Sequence, residues 1–406
     1  MCSKVMGHSA PHYSIESTEP NTVSESLDRE RRDKSKVEMA KPIRPKYHES
    51  PSVVVVVLHW GSSKDTVECL QSLYNTNYDP LTILVVDNSM ENDCINSIPS
   101  QVSTLTTFSI EMLTREESEV TTPHLTRGVT IITNEKNYGF AEGNNIGIRF
   151  ALKMNPDYIL LLNNDIVVDP SFLAELITIC ESNPDIGAAQ PKLLRKSDPH
   201  YIDSVGQELY SDGVMRDIWF GKKDDGRFDT IHEIFGACAA AEIIRKHVLE
   251  EVGLFDPDFF LIFEDVDLSW RIRLAGYKVV LMPTSLVYHD RGVSGNPSAV
   301  TRYYQARNTL CIILKYFPLR YIVMFLPSYL YMFLQFIKLD HILSKKSVRS
   351  FVRKAKTIIL ERPHIHALPN YRKVVDQWIF KADSCCWLEK FLRKVFISRR
   401  DKNEEA

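Results

Sequence analysis

The stretch Tyr158-Ile-Leu-Leu-Leu-Asn-Asn-Asp165, continued by Ile-Val-Val-Asp169-Pro170, decides the fold. Tyr158 to Leu162 read as a strand covered on both faces, since no polar side chain alternates with the apolar ones. The two amides and the carboxylate that follow cannot stay in such a core, so the strand leaves it there. In an open α/β sheet, ligands bind in the crevice beyond the carboxyl ends of the strands. Asp165 offers the hard oxygen that a divalent cation takes, and Asn163 suits a hydroxyl or a metal-bound water. The plainer alternative is a polar turn whose Asp169 caps a helix begun by Pro170. That alternative explains Asp169 and leaves Asn163 to Asp165 without a purpose.

Working outward, three more segments repeat the pattern. Ser52 to Leu58 is a β-branched run that ends in His59-Trp60-Gly61. Leu81 to Val86 ends in Asp87-Asn88-Ser89, after a helical stretch from Asp65 to Leu73. Val129 to Thr133 runs into Asn134 to Asn137 and the small-residue stretch up to Gly147, with a helix to about Met154. Strand, helix, strand implies parallel neighbours by the right-handed crossover rule. Four polar strand ends on one edge describe a nucleotide-sized cleft. Residues 90–127 are Thr- and Ser-rich and weakly periodic, which predicts a long loop or an insertion. Residues 186–234 alternate short apolar runs with Asp, Gly and Lys, as short strands and turns do. This half predicts the acceptor side of the cleft, and the small residues Phe235 to Ala241 predict close approach of backbone to a ligand.

Three further positions carry chemistry. Glu264 and Asp265 open a helix that stops at Gly276, where the helix dipole favours the ionised carboxylate. An ionised Asp265 at the wall of a partly apolar cleft is suited to take a proton from an attacking hydroxyl, with Glu264 and Asp267 left as caps. His289 follows Leu286-Val-Tyr288 and supplies the imidazole that a cation site at Asp165 otherwise lacks, alongside the alternative of a structural histidine. Asp87 suits a base imide N–H or the cap of a turn.

Taken together, Val55-Val-Val-Leu-His-Trp60, Val85-Val-Asp-Asn-Ser89, Asn137-Tyr-Gly-Phe-Ala-Glu-Gly-Asn-Asn145, Leu161-Leu-Asn-Asn-Asp165, Phe235-Gly-Ala-Cys238, Glu264-Asp-Val-Asp-Leu-Ser-Trp-Arg271 and Tyr303-Tyr-Gln-Ala-Arg-Asn308 resemble family-2 glycosyltransferases of the GT-A fold. The nearest branch is rhamnosyltransferase-like and galactofuranosyltransferase-like, over about residues 52 to 310. The resemblance implies an α/β, Rossmann-like, mostly parallel sheet flanked by helices, and inverting, Mg²⁺- or Mn²⁺-dependent transfer from a nucleoside-diphosphate sugar. It implies Asp265 as general base, Asp165 and His289 as metal ligands, and Asp87 as the base-binding carboxylate. It also implies donor-side roles for His59, Trp60, Asn137, Gly139, Asn145 and Asn163. Asn163 stands where the family more often has Asp, and His59 where Asn is common, so one negative charge is missing from the metal motif.

Length and composition set the frame around that region. The 406 residues predict two or three units. These are a disordered leader over 1–50, a transferase domain over 51–310 divided near 185, and a helical C-terminal region over 311–406. Eight scattered cysteines without a Cys-x-x-Cys pair argue against a zinc site or a disulfide framework. The net charge of −3 hides a basic tail, with 16 Lys and Arg against 7 Asp and Glu from His341 to Ala406. Nucleic acid or an anionic membrane would answer such an excess. The apolar run Tyr321 to Ile337, interrupted by Pro327, and the amphipathic Trp387 to Phe396 favour the membrane. The expectation is therefore an enzyme on the cytoplasmic face of a membrane, peripheral or anchored by 321–337. It would act on a glycan or lipid-linked acceptor and bind no nucleic acid. Two alternatives stand beside it, a nucleotidyltransferase that makes sugar nucleotides and a non-catalytic nucleotide-sugar-binding module.

Overall fold

Val53 to His59 are all buried, as an uninterrupted β-branched strand between two layers must be. The computed structural model describes residues 50–379 apart from 80, 90–91, 126, 210–213, 290–297 and 340. The leader over 1–49 and the stretch Trp387 to Phe396 lie outside the described residues. In chain order the strands are β1 (Val53–His59), β2 (Leu81–Asp87), β3 (Ser109–Thr114), β4 (Gly128–Thr133), β5 (Tyr158–Asn163), β6 (Ile166–Val168), β7 (Ile186–Arg195), β8 (Ile202–Ser204), β9 (Gln207–Leu209), β10 (Met215–Asp217), β11 (His232–Ile234), β12 (Ala241–Arg245) and β13 (Lys278–His289). The helices are α1 (Ser63–Tyr74), α2 (Asn92–Leu105), α3 (Arg115–Val120), α4 (Gly139–Lys153), α5 (Phe172–Ser182), α6 (Lys246–Val252), α7 (Glu264–Ala275), α8 (Ala299–Tyr316), α9 (Leu319–Leu339), α10 (His341–His366) and α11 (Tyr371–Val374).

The main sheet runs β3-β4-β2-β1-β5-β12-β7-β13-β11, with β6 on β13 and β8 on β7. The segment from β3 to β5 is parallel throughout, and β12 enters antiparallel between β5 and β7. This is the α/β, mostly parallel sheet that the sequence predicts. The register brings the strand tips level, because His59 pairs with Asp87, Asp87 with Thr133, and Leu58 with Asn163.

Alternation along β1 builds the two layers. Val53, Val55 and Val57 pack with Leu70 and Leu73 of α1 and Phe172 and Leu176 of α5. Val54, Val56 and Leu58 pack with Ile148 and Phe150 of α4 and Leu268 and Ile272 of α7. A Cβ at Gly147 would come within 2.5 Å of Val56 and 2.8 Å of Val86, so the small residues of α4 let it lie directly on the sheet. A third core joins α7 to the C-terminal helices, with Trp270 stacked on Tyr316 at 4.8 Å and Phe325 and Tyr329 buried beside Val266.

Three expectations change. Within the segment expected as a long loop or insertion, residues 92–120 form an α2-β3-α3 unit. Ile95, Ile98 and Val102 form the buried side of α2, and β3 is an edge strand with an exposed or half-exposed side-chain row. Asp169 caps a turn ahead of the helix, accepting from Ser171 N at 2.9 Å and Ser171 Oγ at 2.7 Å, and α5 starts at Phe172. For the third, the anchoring alternative at 321–337, no helix among the described residues is long and apolar enough to cross a membrane.

Candidate active site

Strand pairing places the two expected metal ligands together. Because β6 runs antiparallel to β13 with Ile166 opposite His289, the preceding Asp165 is brought against the imidazole. His289 Nε2 lies 3.3 Å from Asp165 Oδ1, and Nδ1 lies 2.9 Å from Asp203 Oδ2. Two adjacent ligands of an octahedral ion at ~2.1 Å stand about 3 Å apart, so the Asp165–His289 spacing fits a small divalent cation. Burial alone would lower the His289 pKa, but hydrogen bonds to Asp165 and Asp203 outweigh it and raise it to about 9. Among the described residues no group of three or more His, Cys, Asp or Glu side chains is placed to hold a metal. Among the described residues, Asp165 and His289 are the pair whose spacing matches such an ion.

Asp203 was not singled out in the sequence. It lies in β8, a three-residue strand too short for periodicity to mark, and it is 2% exposed. Its carboxylate fixes which nitrogen of His289 faces Asp165, the outer-shell arrangement that metal-binding histidines use. Asp203→Ala is expected to weaken Mn²⁺ binding by about 10–100-fold, read by calorimetric titration, and an unchanged affinity would remove Asp203 from that role.

The carboxylates of α7 divide by environment. Glu264 and Asp267 are buried, at 4% and 0% exposure, and only Asp265 of the three keeps partial access to solvent. Asp267 is not a cap. It holds Lys315 at 2.8 Å, Arg271 at 2.9 Å and the Tyr316 hydroxyl at 2.7 Å, tying α7 to α8. Burial opposes its charge, but Arg271 and Lys315 win and hold its pKa at about 2. Asp265 Oδ2 accepts from Gln207 Nε2 at 2.8 Å and Ala239 N at 3.4 Å, and Oδ1 accepts from Val266 N at 2.8 Å. Burial, reinforced by the Asp217 charge, outweighs those donors and raises its pKa to about 6. Glu264 and Glu242, fully enclosed behind it, are pushed well above the carboxylate range by burial and by the Asp265 charge.

The loop ahead of Asp265 is strained and pinned. Phe260, Ile262 and Phe263 all have positive φ, at 61°, 69° and 71°, a conformation that costs of order 1–3 kcal/mol per residue. Asn308, fully buried on α8, donates to the carbonyls of Phe259, Leu261 and Ile262 at 3.0, 2.9 and 2.6 Å. From the other side, Phe140 N and Ala141 N at the start of α4 donate to Phe260 O. A Cβ at Gly139, where φ is 79°, would stand 2.5 Å from the Phe260 ring, so this glycine lets two distant motifs meet. Asn308→Ala is expected to cost about 2–4 kcal/mol in urea unfolding, because it strands buried carbonyls and releases the strained loop. A loss under about 0.5 kcal/mol would show that the loop holds itself. Arg307, next to Asn308 on α8, donates to Asp258 O and is 6% exposed.

The donor-side residues fall into two groups. Trp60 is 66% exposed and Asn163 is half-buried, whereas Asp87, at the end of β2, is 1% exposed with Oδ1 accepting from Ser89 N and Oγ. His59 and Asn145, expected at the ligand, are instead scaffold. His59 is fully buried, with Nδ1 2.6 Å from Thr66 Oγ1 and Nε2 4.0 Å from Asp87. Burial lowers its pKa, with Asp87 opposing. Asn145 spends its amide on the backbone of Phe255, in both directions, and on Glu142. Asn137 accepts from Gly139 N at 2.7 Å and from Asn88 at 3.1 Å, so it and Gly139 shape the turn that leads into α4. Gly236 likewise serves packing, since a Cβ there would meet Ser269 Oγ at 2.4 Å.

Adjacent residues of β8 join the two halves of the site. Asp203 holds His289, and the next residue, Ser204, donates to Asp217 Oδ1 at 2.9 Å, the carboxylate whose charge acts on Asp265. The chain thus gathers acidic and amide groups at parallel strand tips, with one solvent-reachable aspartate on a helix joined to them. It matches the model of "Glycosyltransferase like family 2" over residues 51–308 and belongs to that family. Two curated relatives are the "Low-salt glycan biosynthesis hexosyltransferase Agl10" of Haloferax volcanii and the "dTDP-rhamnosyl transferase RfbF" of Shigella flexneri. The first is 25% identical over 199 residues, covering 49% of this chain and 63% of the relative. The second is 24% identical over 198 residues, covering 46% and 64%. The chain thus spans under two thirds of the length of either. Among solved structures, GalNAc-T7 with UDP, GalNAc and Mn²⁺ is 14% identical with a TM-score of 0.49, over 66% of this chain and 49% of that one.

Proposed function

We propose that this chain is an inverting glycosyltransferase that moves a sugar from a nucleoside-diphosphate sugar to a hydroxyl of a lipid-linked or cell-surface glycan. The observation that carries the reading is the Asp165–His289–Asp203 arrangement, linked through β8 to Asp217 and Asp265. Asp165 and His289 would hold Mg²⁺ or Mn²⁺ against the donor diphosphate. Bound there, the cation supplies charge stabilisation for the departing phosphate. Asp87 and Trp60 at neighbouring strand tips take the nucleoside end, and Asn163 takes a hydroxyl or a bound water. Asp265 accepts the proton of the acceptor hydroxyl as that oxygen attacks C1 from the face opposite the diphosphate, so the anomeric configuration inverts. The pinned 259–263 loop holds this carboxylate in place before the acceptor arrives.

The Haloferax volcanii relative is described as acting in glycan biosynthesis, which supports a glycan acceptor. The nucleotidyltransferase reading calls for a Gly-rich phosphate loop after β1. Here His59-Trp60-Gly61 leads to Ser62, which caps α1 by accepting from Asp65 N. The test is to incubate the purified full chain with Mn²⁺ and a panel of nucleotide sugars. Slow release of nucleoside diphosphate from one donor, with inversion at C1 seen by proton NMR, is the expected result. Retention at C1, or nucleoside triphosphate formed from added pyrophosphate, would overturn it.

A further inference from the structure

We infer that α9 and α10 form the face by which this protein lies on an anionic lipid surface. Leu319, Val323, Leu326, Leu330 and Leu334 recur along α9 in steps of four, three, four and four residues, which keeps them on one side of the helix. They are 70%, 62%, 56%, 56% and 48% exposed. The opposite side, Tyr321, Phe325 and Tyr329, is buried in the core that holds Val266 and Trp270 of α7. The helix is therefore apolar on both sides, and the protein covers one of them. A contiguous apolar row on a protein surface marks a place where something else binds.

The charges beside that row identify the occupant. On α10, Lys345, Arg349, Arg353 and Lys356 are exposed and share one side of the helix with exposed Val352, Ile359 and Leu360. From Leu319 to Leu360 the sequence holds eight Lys and Arg and a single acidic residue, Asp340. A second copy of the chain docked face to face would set these cations against themselves, since a two-fold interface pairs a patch with itself. A bilayer answers both features at once, with acyl chains for the leucine row and anionic headgroups for the cations. The inner side of α10 turns to the catalytic region, where Lys354 Nζ lies 2.8 Å from Asp256 and 2.9 Å from Asp258, just ahead of the strained loop. The lipid-facing surface and the loop that positions Asp265 are thus opposite sides of the same helices. Docked in this way, α9 and α10 would hold the catalytic region close to a lipid-anchored acceptor, a consequence that rests on the transferase reading, whereas the docking itself does not.

The experiment is flotation of the full-length protein with vesicles of phosphatidylcholine alone or with added phosphatidylglycerol. The wild-type chain should float with the anionic vesicles, lose them in high salt, and ignore the neutral ones. Leu326→Glu with Leu330→Glu should lower anionic-vesicle binding at least tenfold. Gln at 345, 349, 353 and 356 together should abolish its salt dependence. All replaced side chains are exposed, so thermal melting and slow donor hydrolysis without vesicles serve as controls that stay unchanged. Unchanged flotation of the double variant would overturn the inference and point to residues 380–406 as the lipid contact. Absence of wild-type flotation, or a change in oligomeric state on replacing the leucine row, would overturn it in favour of a protein partner. Because vesicle binding and sugar transfer are read separately, failure of one leaves the other standing.

Discussion

Asp265→Asn is expected to lower sugar transfer by about 10²–10⁴-fold while donor affinity stays within about twofold of wild type. The amide keeps the shape of the carboxylate and one of the two acceptor oxygens held by Gln207 and Val266 N, but cannot take the acceptor's proton. In the wild-type enzyme, kcat/KM should fall tenfold per pH unit as the pH drops below about 6, where the carboxylate that burial and Asp217 have shifted upward becomes protonated. Asp217→Asn removes the neighbouring charge and should move that acid limb to lower pH, an effect that a merely structural Asp265 would not produce. Stability gives an independent sign. The folded-state pKa of Asp265 lies above that of the unfolded chain, so its stabilising contribution is full below about pH 4 and is lost as the pH rises through about 6. The Asn variant should therefore melt no lower than wild type at pH 7. Loss of folding in that variant would instead assign Asp265 to the architecture of α7.

Asp165→Ala is the second large effect. It leaves His289 as the one protein ligand and should weaken Mn²⁺ binding in the presence of nucleoside diphosphate by at least about 100-fold, more than loss of the outer carboxylate Asp203. Metal-dependent donor binding, measured by calorimetry with and without Mn²⁺, should vanish, whereas metal-independent nucleoside binding at Asp87 should persist. Asn163→Asp restores the negative charge that the family more often carries at that position and should tighten Mn²⁺ binding. Should Asp165→Ala bind Mn²⁺ as the wild type does, the strand tip after β5 is not where the cation sits.

The sheet was legible in the sequence because its central strands are apolar without interruption and each ends abruptly in polar residues. Val53 to Leu58, Leu81 to Val86, Val129 to Thr133 and Tyr158 to Leu162 all form neighbouring parallel strands with level tips. The edge unit at 92–120 was not legible. Its strand β3 has no fully buried residue, and Ser, Thr and Gln dilute the three apolar positions of α2. At the site, the acidic first turn of α7 was visible, but the expectation that Glu264 and Asp267 serve as caps failed. Glu264 and Asp267 are more enclosed than Asp265, because partners far along the chain, Lys315 and Tyr316 among them, let Asp267 be buried as an ion. His59 and Asn145 look like ligand contacts in a motif and are internal struts in three dimensions. Asp203 and Asn308 act through residues 86 and 46 to 49 positions away, a relation that only folding reveals.

The side chains that fasten the 259–263 turn bear on where this molecule can be shortened. The family-matched region stops at Asn308, halfway along a helix that continues to Tyr316. Trimming at that motif boundary would sever the helix at the residue carrying three of the fastenings and discard Lys315 and Tyr316, the counterparts of Asp267. The smallest autonomous catalytic fragment therefore extends past the recognisable motifs, and its outer limit is set by what anchors a turn rather than by what touches a sugar.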